Sequence, residues 1–248
     1  MEKIACITGA SSGIGRETAL VLAENGYKLI LCGRRNDRLE SLQKEISVDS
    51  TILIFDVRDL GQVQSSFASL SNEWKNIDVL INNAGNAHGL SPIQDGDVAD
   101  WDAMMHGNVN GLLYVSKSVI PFMIARKQGH IINISSIAGK QIYANGAVYC
   151  ASKAAVEVLS QGMRIDLNPF GIKVSNLAPG AVNTEFSAVR FKGDADKVDA
   201  VYKGFEPLVA KDVAEVLRFM VMAPAHVNLS DVTLLPTAQA SANLINRI

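Results

Sequence analysis

Tyr149 and Lys153 stand four positions apart at the start of the run YCASKAAVEVLS, whose apolar spacing predicts a helix. On a helix that spacing puts both side chains on one face, about 6 Å apart along the axis. A tyrosine titrates near 10 and exchanges protons poorly near neutrality unless a cation favours its phenolate, and Lys153 is such a cation. Ser136 sits just beyond the apolar run HIINI, at the carboxyl edge of a predicted strand, where open α/β sheets bind ligands. Its hydroxyl can donate to a substrate oxygen while Tyr149 exchanges that oxygen's proton and a hydride moves at the attached carbon. Ser135, the last strand residue, should point to the other side. A Tyr/Lys pair at helical spacing is by itself more often a surface pair; a nucleotide site beside it turns the pair into a mechanism.

That nucleotide site is predicted at Thr8-Gly9-Ala10-Ser11-Ser12-Gly13-Ile14-Gly15, directly after the first strand and opening the first helix. Glycines there allow a tight turn and close backbone approach, so the helix N-terminus can face a pyrophosphate with free N–H groups. The spacing is not GxGxxG, and the Gly-Lys-Ser/Thr ending of a P-loop is absent. The second strand ends in Gly33-Arg34-Arg35, cations where an NAD site places a carboxylate, which favours the 2'-phosphate of NADP. Asp37 lies further on and reads as a first-turn helix charge. Asp56-Val57 suit contact with adenine, and Asn83-Ala84-Gly85 suit packing against the cofactor ribose; alone, either segment reads equally well as an ordinary turn. Asn110, in HGNVNGLLYVSK, falls inside a long predicted helix where asparagine is unfavourable. It either holds a local break and a water relaying protons toward Lys153, or faces solvent.

These residues need a scaffold of repeated βαβ units, and the chain shows one. Strands are predicted at 3–8, 28–32, 51–55, 79–81, 131–135, 173–177 and 229–234, with helices near 14–25, 36–47, 60–73, 98–126, 149–167 and 211–222. Strands such as TILIF and HIINI lack polar alternation, which suits a parallel sheet covered on both faces. The expected fold is a three-layer, doubly wound Rossmann-like α/β domain spanning 1–248, of about seven strands. One stretch breaks the rhythm: 183–205, with mixed charge and glycine, reads as an inserted substrate loop.

A net charge of -2 with interspersed signs leaves no footprint for nucleic acid or an anionic membrane. Cys6, Cys32 and Cys150 form no CxxC pair and suggest buried thiols in a reducing compartment, without a disulfide frame or metal knot. No signal-peptide pattern and no apolar run of about 18 residues appears, so a cytoplasmic enzyme is expected.

Taken together, TGASSGIG, NNAG, Asn110, Ser136, the YxxxK of Tyr149 and Lys153, and Pro179-Gly180 resemble the short-chain dehydrogenase/reductase family over nearly the whole chain. The resemblance implies a Ser-Tyr-Lys-Asn tetrad, nicotinamide contacts from Pro179, Gly180, Val182 and Thr184, and a homodimer or homotetramer. PGAVNTEFSAVRFKGDADK, Tyr202, PAHVN and LLPTAQA resemble the subgroup of NADP-dependent serine, allo-threonine and 3-hydroxy acid dehydrogenases, which implies a small 3-hydroxy acid substrate and a homotetramer. The run Gly139-Lys140-Gln141-Ile142-Tyr143 departs from the Gly-Ser-Trp-Pro-Tyr usual in that subgroup, which puts pocket size in question. Arg190 and Lys192, with Lys140 as a further choice, are the candidate anchors for a substrate carboxylate. The alternative activity is a broad carbonyl reductase or a 3-oxoacyl-carrier-protein reductase, which needs an open channel and a basic patch.

Overall fold

The strand β1, Ile4–Thr8, apolar up to its closing threonine, is buried at every residue, and its alternate side chains serve two different cores. A computed structural model describes residues 2–248. Ala5 and Ile7 face the helix α1, Gly13–Glu24, while Ile4 and Cys6 face the opposite layer. Such two-sided burial is what an unalternated strand requires. The neighbouring strand β2, Lys28–Gly33, repeats the division, with Leu29 and Leu31 on one side and Ile30 and Cys32 on the other.

The remaining units follow as α2 (Asn36–Glu45), β3 (Ser50–Ile54), α3 (Leu60–Ala68) and β4 (Ile77–Asn82), then, past the long helical stretch, β5 (Gly129–Ile134), α6 (Ala147–Leu167) and β6 (Ile172–Pro179). The last sheet strand, β9, is Asp231–Leu234, and all seven pair in parallel in the order β3-β2-β1-β4-β5-β6-β9. The order reverses between β1 and β4, which places a ligand crevice at their carboxyl ends. One layer packs α1 and α9 (Ala210–Met222) on the sheet through Leu22, Val213 and Leu217. The other packs α3 and α5 (Gly111–Arg126) through Val63, Phe67, Val115 and Val119. Burying each such side chain contributes roughly 1.5–3 kcal/mol, so this double core is the main source of stability. No helix among the described residues is long and apolar enough to cross a membrane.

The expected single helix over 98–126 is interrupted. The helix α4, Val98–Met105, starts at Asp97, whose carboxylate accepts from Ala99 N at 2.9 Å, and gives way to one π turn over His106–Asn110 before α5 begins. The wider turn adds a residue to the spiral and rotates what it carries.

Through the carboxyl half of the sheet runs a row of polar residues in direct register: Asn82 beside Asn133, Asn133 beside Asn176, and Asn176 beside Asp231. Asn82 Nδ2 donates to Asn133 Oδ1 and to Ser116 Oγ, both at 2.9 Å, and Asn133 Nδ2 donates to Ser160 Oγ of α6 at 2.9 Å. Asn82, Asn133 and Asn176 are buried, so these bonds offset a desolvation cost of about 1–3 kcal/mol for each polar group.

The stretch 183–205 carries structure of its own. A short pair, β7 (Val182–Asn183) and β8 (Leu208–Val209), closes the base of a loop holding α7 (Phe186–Arg190) and α8 (Ala195–Tyr202). Tyr202 Oη donates to Val182 O at 2.8 Å and meets Ser187 Oγ at 2.7 Å, which folds the loop back over the sheet edge. The C-terminus straps it from outside, with Arg247 Nη2 donating to Val201 O at 3.1 Å and Ile248 N to Gly204 O at 2.8 Å.

Candidate active site

The crevice at the β1/β4 reversal is a cleft of about 510 Å³ that runs from the end of β2 to the inserted loop. Its floor is the glycine turn. Gly9 and Gly13 have φ of 67° and 52°, a region that side-chain-bearing residues rarely enter. Gly15 lies beneath the turn and does not line the cleft; a Cβ there would come 2.4 Å from Gly9 O and 2.6 Å from Asn83 Nδ2. Asn83 braces the turn from β4, donating from Nδ2 to Thr8 O at 2.9 Å, while the N–H groups of Asn83 and Ala84 both donate to Thr8 Oγ1 at 3.0 Å. Gly9, Ser11, Ser12, Gly13, Ile14, Asn83, Ala84 and Gly85 all line the cleft.

At the adenosine end the cations converge. Arg35 donates from Nε and Nη2 to Ser11 Oγ at 3.1 and 3.0 Å, from Nη2 to Ser12 Oγ at 2.7 Å, and from Nη1 to Glu185 at 3.0 Å. Arg34 is more exposed and meets Asp56 at 3.5 Å. Arg58, which the sequence reading passed over, clamps Asp56 through Nε and Nη2 at 2.6–3.1 Å. Burial raises the Asp56 pKa, but the Arg58 hydrogen bonds and the charges of Arg58 and Arg34 outweigh it and hold the carboxyl below its usual range. Asp56 is thereby neutralised as a repulsive charge, and the donor set fits a phosphorylated ribose.

At the other end the catalytic candidates meet. Tyr149 and Lys153 project from α6 into the cleft and are 8% and 6% exposed. Lys153 Nζ donates to Ile134 O at 3.0 Å, which ties it to the end of β5. Burial pulls the Lys153 pKa down to about 8, against a countervailing pull from the carboxylate of Glu157. Burial, with the neighbouring Tyr143, raises the Tyr149 pKa, while the Ser136 hydroxyl and Arg190 draw it back. Ser136 caps a single 3-10 turn, accepting from Ala138 N at 3.2 Å, and its Oγ lies 3.4 Å from Pro179 O. Ser135 turns its hydroxyl the other way, into the interior against Glu157, as its strand position requires.

The asparagine of this site is Asn108, and the assignment to Asn110 is corrected. Asn108 Nδ2 donates to Asn86 O at 2.8 Å and Ser152 Oγ at 3.0 Å, and its Oδ1 accepts from Asn86 N at 2.7 Å. A Cβ on Gly85 would lie 3.0 Å from Asn108 Oδ1 and 3.3 Å from Lys153 Nζ, so Asn108 and Lys153 flank the same small gap. Neither asparagine lines the cleft itself, but Asn108 is buried against Gly85 and Lys153 whereas Asn110 is only half-buried. Two positions along a helical spiral turn a side chain to nearly the opposite side, and the π turn sets which of the two faces Lys153.

The proposed acid anchors separate sharply. Lys192 is 61% exposed, pairs with Asp100 at 3.0 Å and does not line the cleft. Lys140 pairs with Glu157 at 3.0 Å and Asp231 at 2.6 Å behind the sheet edge, which removes it as well. Arg190 does line the cleft. Its guanidinium carbon lies 5.4 Å from the Tyr143 ring centre and 5.5 Å from that of Tyr149, and Nε donates to Gly89 O at 3.2 Å. Arg190 Nη2 and Tyr143 Oη are both buried without a hydrogen-bond partner. Unpaired buried donors are costly, and a polar ligand in the cleft would satisfy them.

Pro179, Gly180, Val182 and Thr184 line the cleft wall beyond Ser136. Gln239, part of the LLPTAQA run but given no role from sequence, shapes that wall: its Oε1 accepts from Ala181 N at 2.8 Å and fills the space above Gly180, where a Cβ would lie 2.2 Å away. Phe186, whose ring centre is 5.7 Å from that of Tyr149, closes the apolar side.

Comparison with known proteins places these features in a wider set. The family profile described as short chain dehydrogenase matches residues 3–195. An NADP-dependent 3-hydroxy acid dehydrogenase of Salmonella typhi is 42% identical over 242 residues, covering 97% of this chain and 98% of that protein. Sulfoacetaldehyde reductase 2 of Chromohalobacter salexigens is 42% identical over 251 residues, covering 100% of both. Among solved structures, a closed form of serine dehydrogenase complexed with NADP+ superposes with a TM-score of 0.94 at 41% identity, covering 97% of this chain and 98% of that one.

Proposed function

The chain belongs to the short-chain dehydrogenase family, and from that premise we propose that it uses NADP to interconvert a small 3-hydroxy acid and its 3-oxo acid. The observation that carries the acid is Arg190, half-buried in the cleft, with a buried and unpaired Nη2 and its guanidinium beside the Tyr149 ring. Uncharged alcohols give such a donor no counter-charge; a carboxylate two bonds from the reacting carbon does.

NADP supplies the hydride acceptor or, reduced, the donor, held by the glycine turn and by Arg34, Arg35 and Arg58. The protein's own part is proton management. Ser136 Oγ donates to the substrate oxygen, and the Tyr149 hydroxyl gives that oxygen its proton in reduction and takes it in oxidation. Lys153 lowers the cost of the phenolate so formed, and Asn108, fixed by Asn86 and Ser152, borders the gap through which its ammonium is resupplied with protons. Phe186 and the inserted loop keep water from the reacting atoms.

A sulfonate is the second reading, because a guanidinium pairs with it as readily as with a carboxylate and a full-length relative carries a sulfoacetaldehyde reductase name. The exposed apolar residues Val158 and Ile165 of α6, with Phe219 and Met222 of α9, support assembly as a homotetramer, which sedimentation velocity measures. The deciding experiment is steady-state turnover with NADP(H) and NAD(H) on L-serine, L-allo-threonine, 3-hydroxypropionate, sulfoacetaldehyde and a 3-oxoacyl thioester. A 3-hydroxy acid with NADP should give the highest kcat/KM; highest turnover on the thioester, or with NAD, would refute the proposal.

A further inference from the structure

We infer that Glu157 is a positioning residue for this reaction: its buried carboxylate ties the serine-bearing end of β5 to α6 and sets a fixed negative charge one helical turn beyond Lys153. The inference rests on the oxidoreductase reading and adds a residue that the mechanism above does not use.

Glu157 is 8% exposed, a rare place for a carboxylate, and both its oxygens are engaged. Oε1 accepts from Ser135 Oγ at 2.5 Å and from Asn176 Nδ2 at 2.8 Å, and Oε2 accepts from Lys140 Nζ at 3.0 Å. These partners come from three separate elements: Ser135 follows β5, Asn176 lies in β6, and Lys140 follows the 3-10 turn that Ser136 caps. One side chain of α6 thus grips both flanks of Ser136 as well as the neighbouring strand. Lys153 precedes Glu157 by four residues on the same helix and is held to Ile134 O, one residue before Ser135. The serine and the lysine are therefore referenced to the same anchor.

The charge matters as much as the bonds. Facing Glu157 are Lys153 on α6 and, from the 3-10 turn, Lys140; beyond them on β9 is Asp231, which shares Lys140, accepts from Asn176 Nδ2 at 3.0 Å and feels the charge of Arg164. Facing Tyr149 and Lys153 from other elements are Tyr143 and Arg190, with Cys150 on α6 itself. Among these, Glu157 is the anionic group whose field favours the charged form of Lys153 against burial. Reduction needs Lys153 cationic and Tyr149 protonated. Removing that negative charge lowers the Lys153 pKa, so the alkaline limb of reductive kcat that Lys153 sets moves to lower pH.

The test is the pH profile of reductive kcat from pH 6 to 10, on the oxo substrate the wild type turns over fastest. It is run for wild type, Glu157→Gln, Glu157→Asp and Lys140→Gln, with NADPH affinity followed by the quenching of protein fluorescence. Glu157→Gln should move the alkaline limb down by about 0.5–1 pH unit and lower kcat several-fold, with KM and NADPH affinity within about twofold. Glu157→Asp should restore most of the limb. Lys140→Gln removes a surface-side cation, keeps Glu157, and should move the limb the opposite way, which keeps the inference testable if Glu157→Gln folds poorly. A limb that stays in place in either variant, or moves against the stated sign, overturns the inference even if activity falls, since a purely structural role changes folding and not titration. An inactive wild type with normal NADPH binding would instead refute the functional reading on which this one rests.

Discussion

Replacing Arg190 with methionine separates substrate anchoring from everything else the residue does. Methionine keeps an unbranched apolar stem against Tyr143, Tyr149 and Phe191, whose ring centres lie 5.4, 5.5 and 5.9 Å from the guanidinium. What is lost is the cation, with its bond to Gly89 O at 3.2 Å and its unpaired Nη2. A charge-assisted hydrogen bond is worth about 1.5–3 kcal/mol, and breaking a buried ion pair from one side costs about 3–5 kcal/mol. For an acidic substrate the expected loss is thus about 3–4 kcal/mol of transition-state binding, or a 150- to 1,000-fold fall in kcat/KM. Arg190 also lowers the Tyr149 pKa, so part of the loss would fall on any substrate. An uncharged aldehyde of the same chain length measures that part, which should stay within about fivefold, under 1 kcal/mol. Steady-state kinetics on both substrates is the assay. Parallel losses on acid and neutral substrate would show that Arg190 serves the tyrosine and not the acid, and would refute the anchoring argument.

Arg35→Ala should weaken NADP(H) binding by about 30- to 150-fold, the worth of one guanidinium-phosphate contact of about 2–3 kcal/mol, and leave NAD(H) within threefold; titration calorimetry with both nucleotides checks it. Asn108→Ala should lower kcat by at least tenfold with NADPH affinity retained, whereas Asn110→Ala should stay within about twofold, a contrast that rapid-mixing turnover resolves directly. His130 supplies an acid-stability prediction: burial, and secondarily the charge of Lys173, depress its pKa from 6.5 to about 3. A group whose folded pKa is depressed binds more protons when unfolded, so stability is intact above pH 6.5 and falls as pH drops toward 3. Urea midpoints at pH 7 and 4.5 should show about 2–3 kcal/mol less loss in His130→Asn than in the wild type.

The central strands were legible because they are apolar runs bounded by turn residues, and two-sided burial is what such runs demand. The glycine turn, Ser136, Tyr149 and Lys153 were legible because their roles depend on local spacing along one strand end or one helix. Asn108 was not, since helical periodicity assumes a uniform spiral and the π turn over His106–Asn110 breaks it; a break was one of two readings open for Asn110, and the asparagine beside Lys153 lies two positions earlier. Charge type alone could not sort Arg190 from Lys140 and Lys192, because burial and partners decided that: Asp100 takes Lys192, and Glu157 with Asp231 takes Lys140. Arg58 was passed over although its partner Asp56 lies only two residues back, and Gln239, quoted only as part of LLPTAQA, acquires its role when the C-terminal segment comes alongside Ala181.

The row of Asn82, Asn133 and Asn176 has a metrological consequence. A slip of one residue between these strands would set buried amides against isoleucine and leucine and strand their polar atoms, so the sheet is indexed from within. Asn83 lies one residue past that index, and Ser136 and Pro179 lie three past it on adjacent strands. The row therefore acts as the datum from which the reacting groups are dimensioned. Length changes on the amino side of the datum leave the site in gauge, and a single inserted residue on its carboxyl side puts Ser136 out of tolerance without touching any side chain that does chemistry.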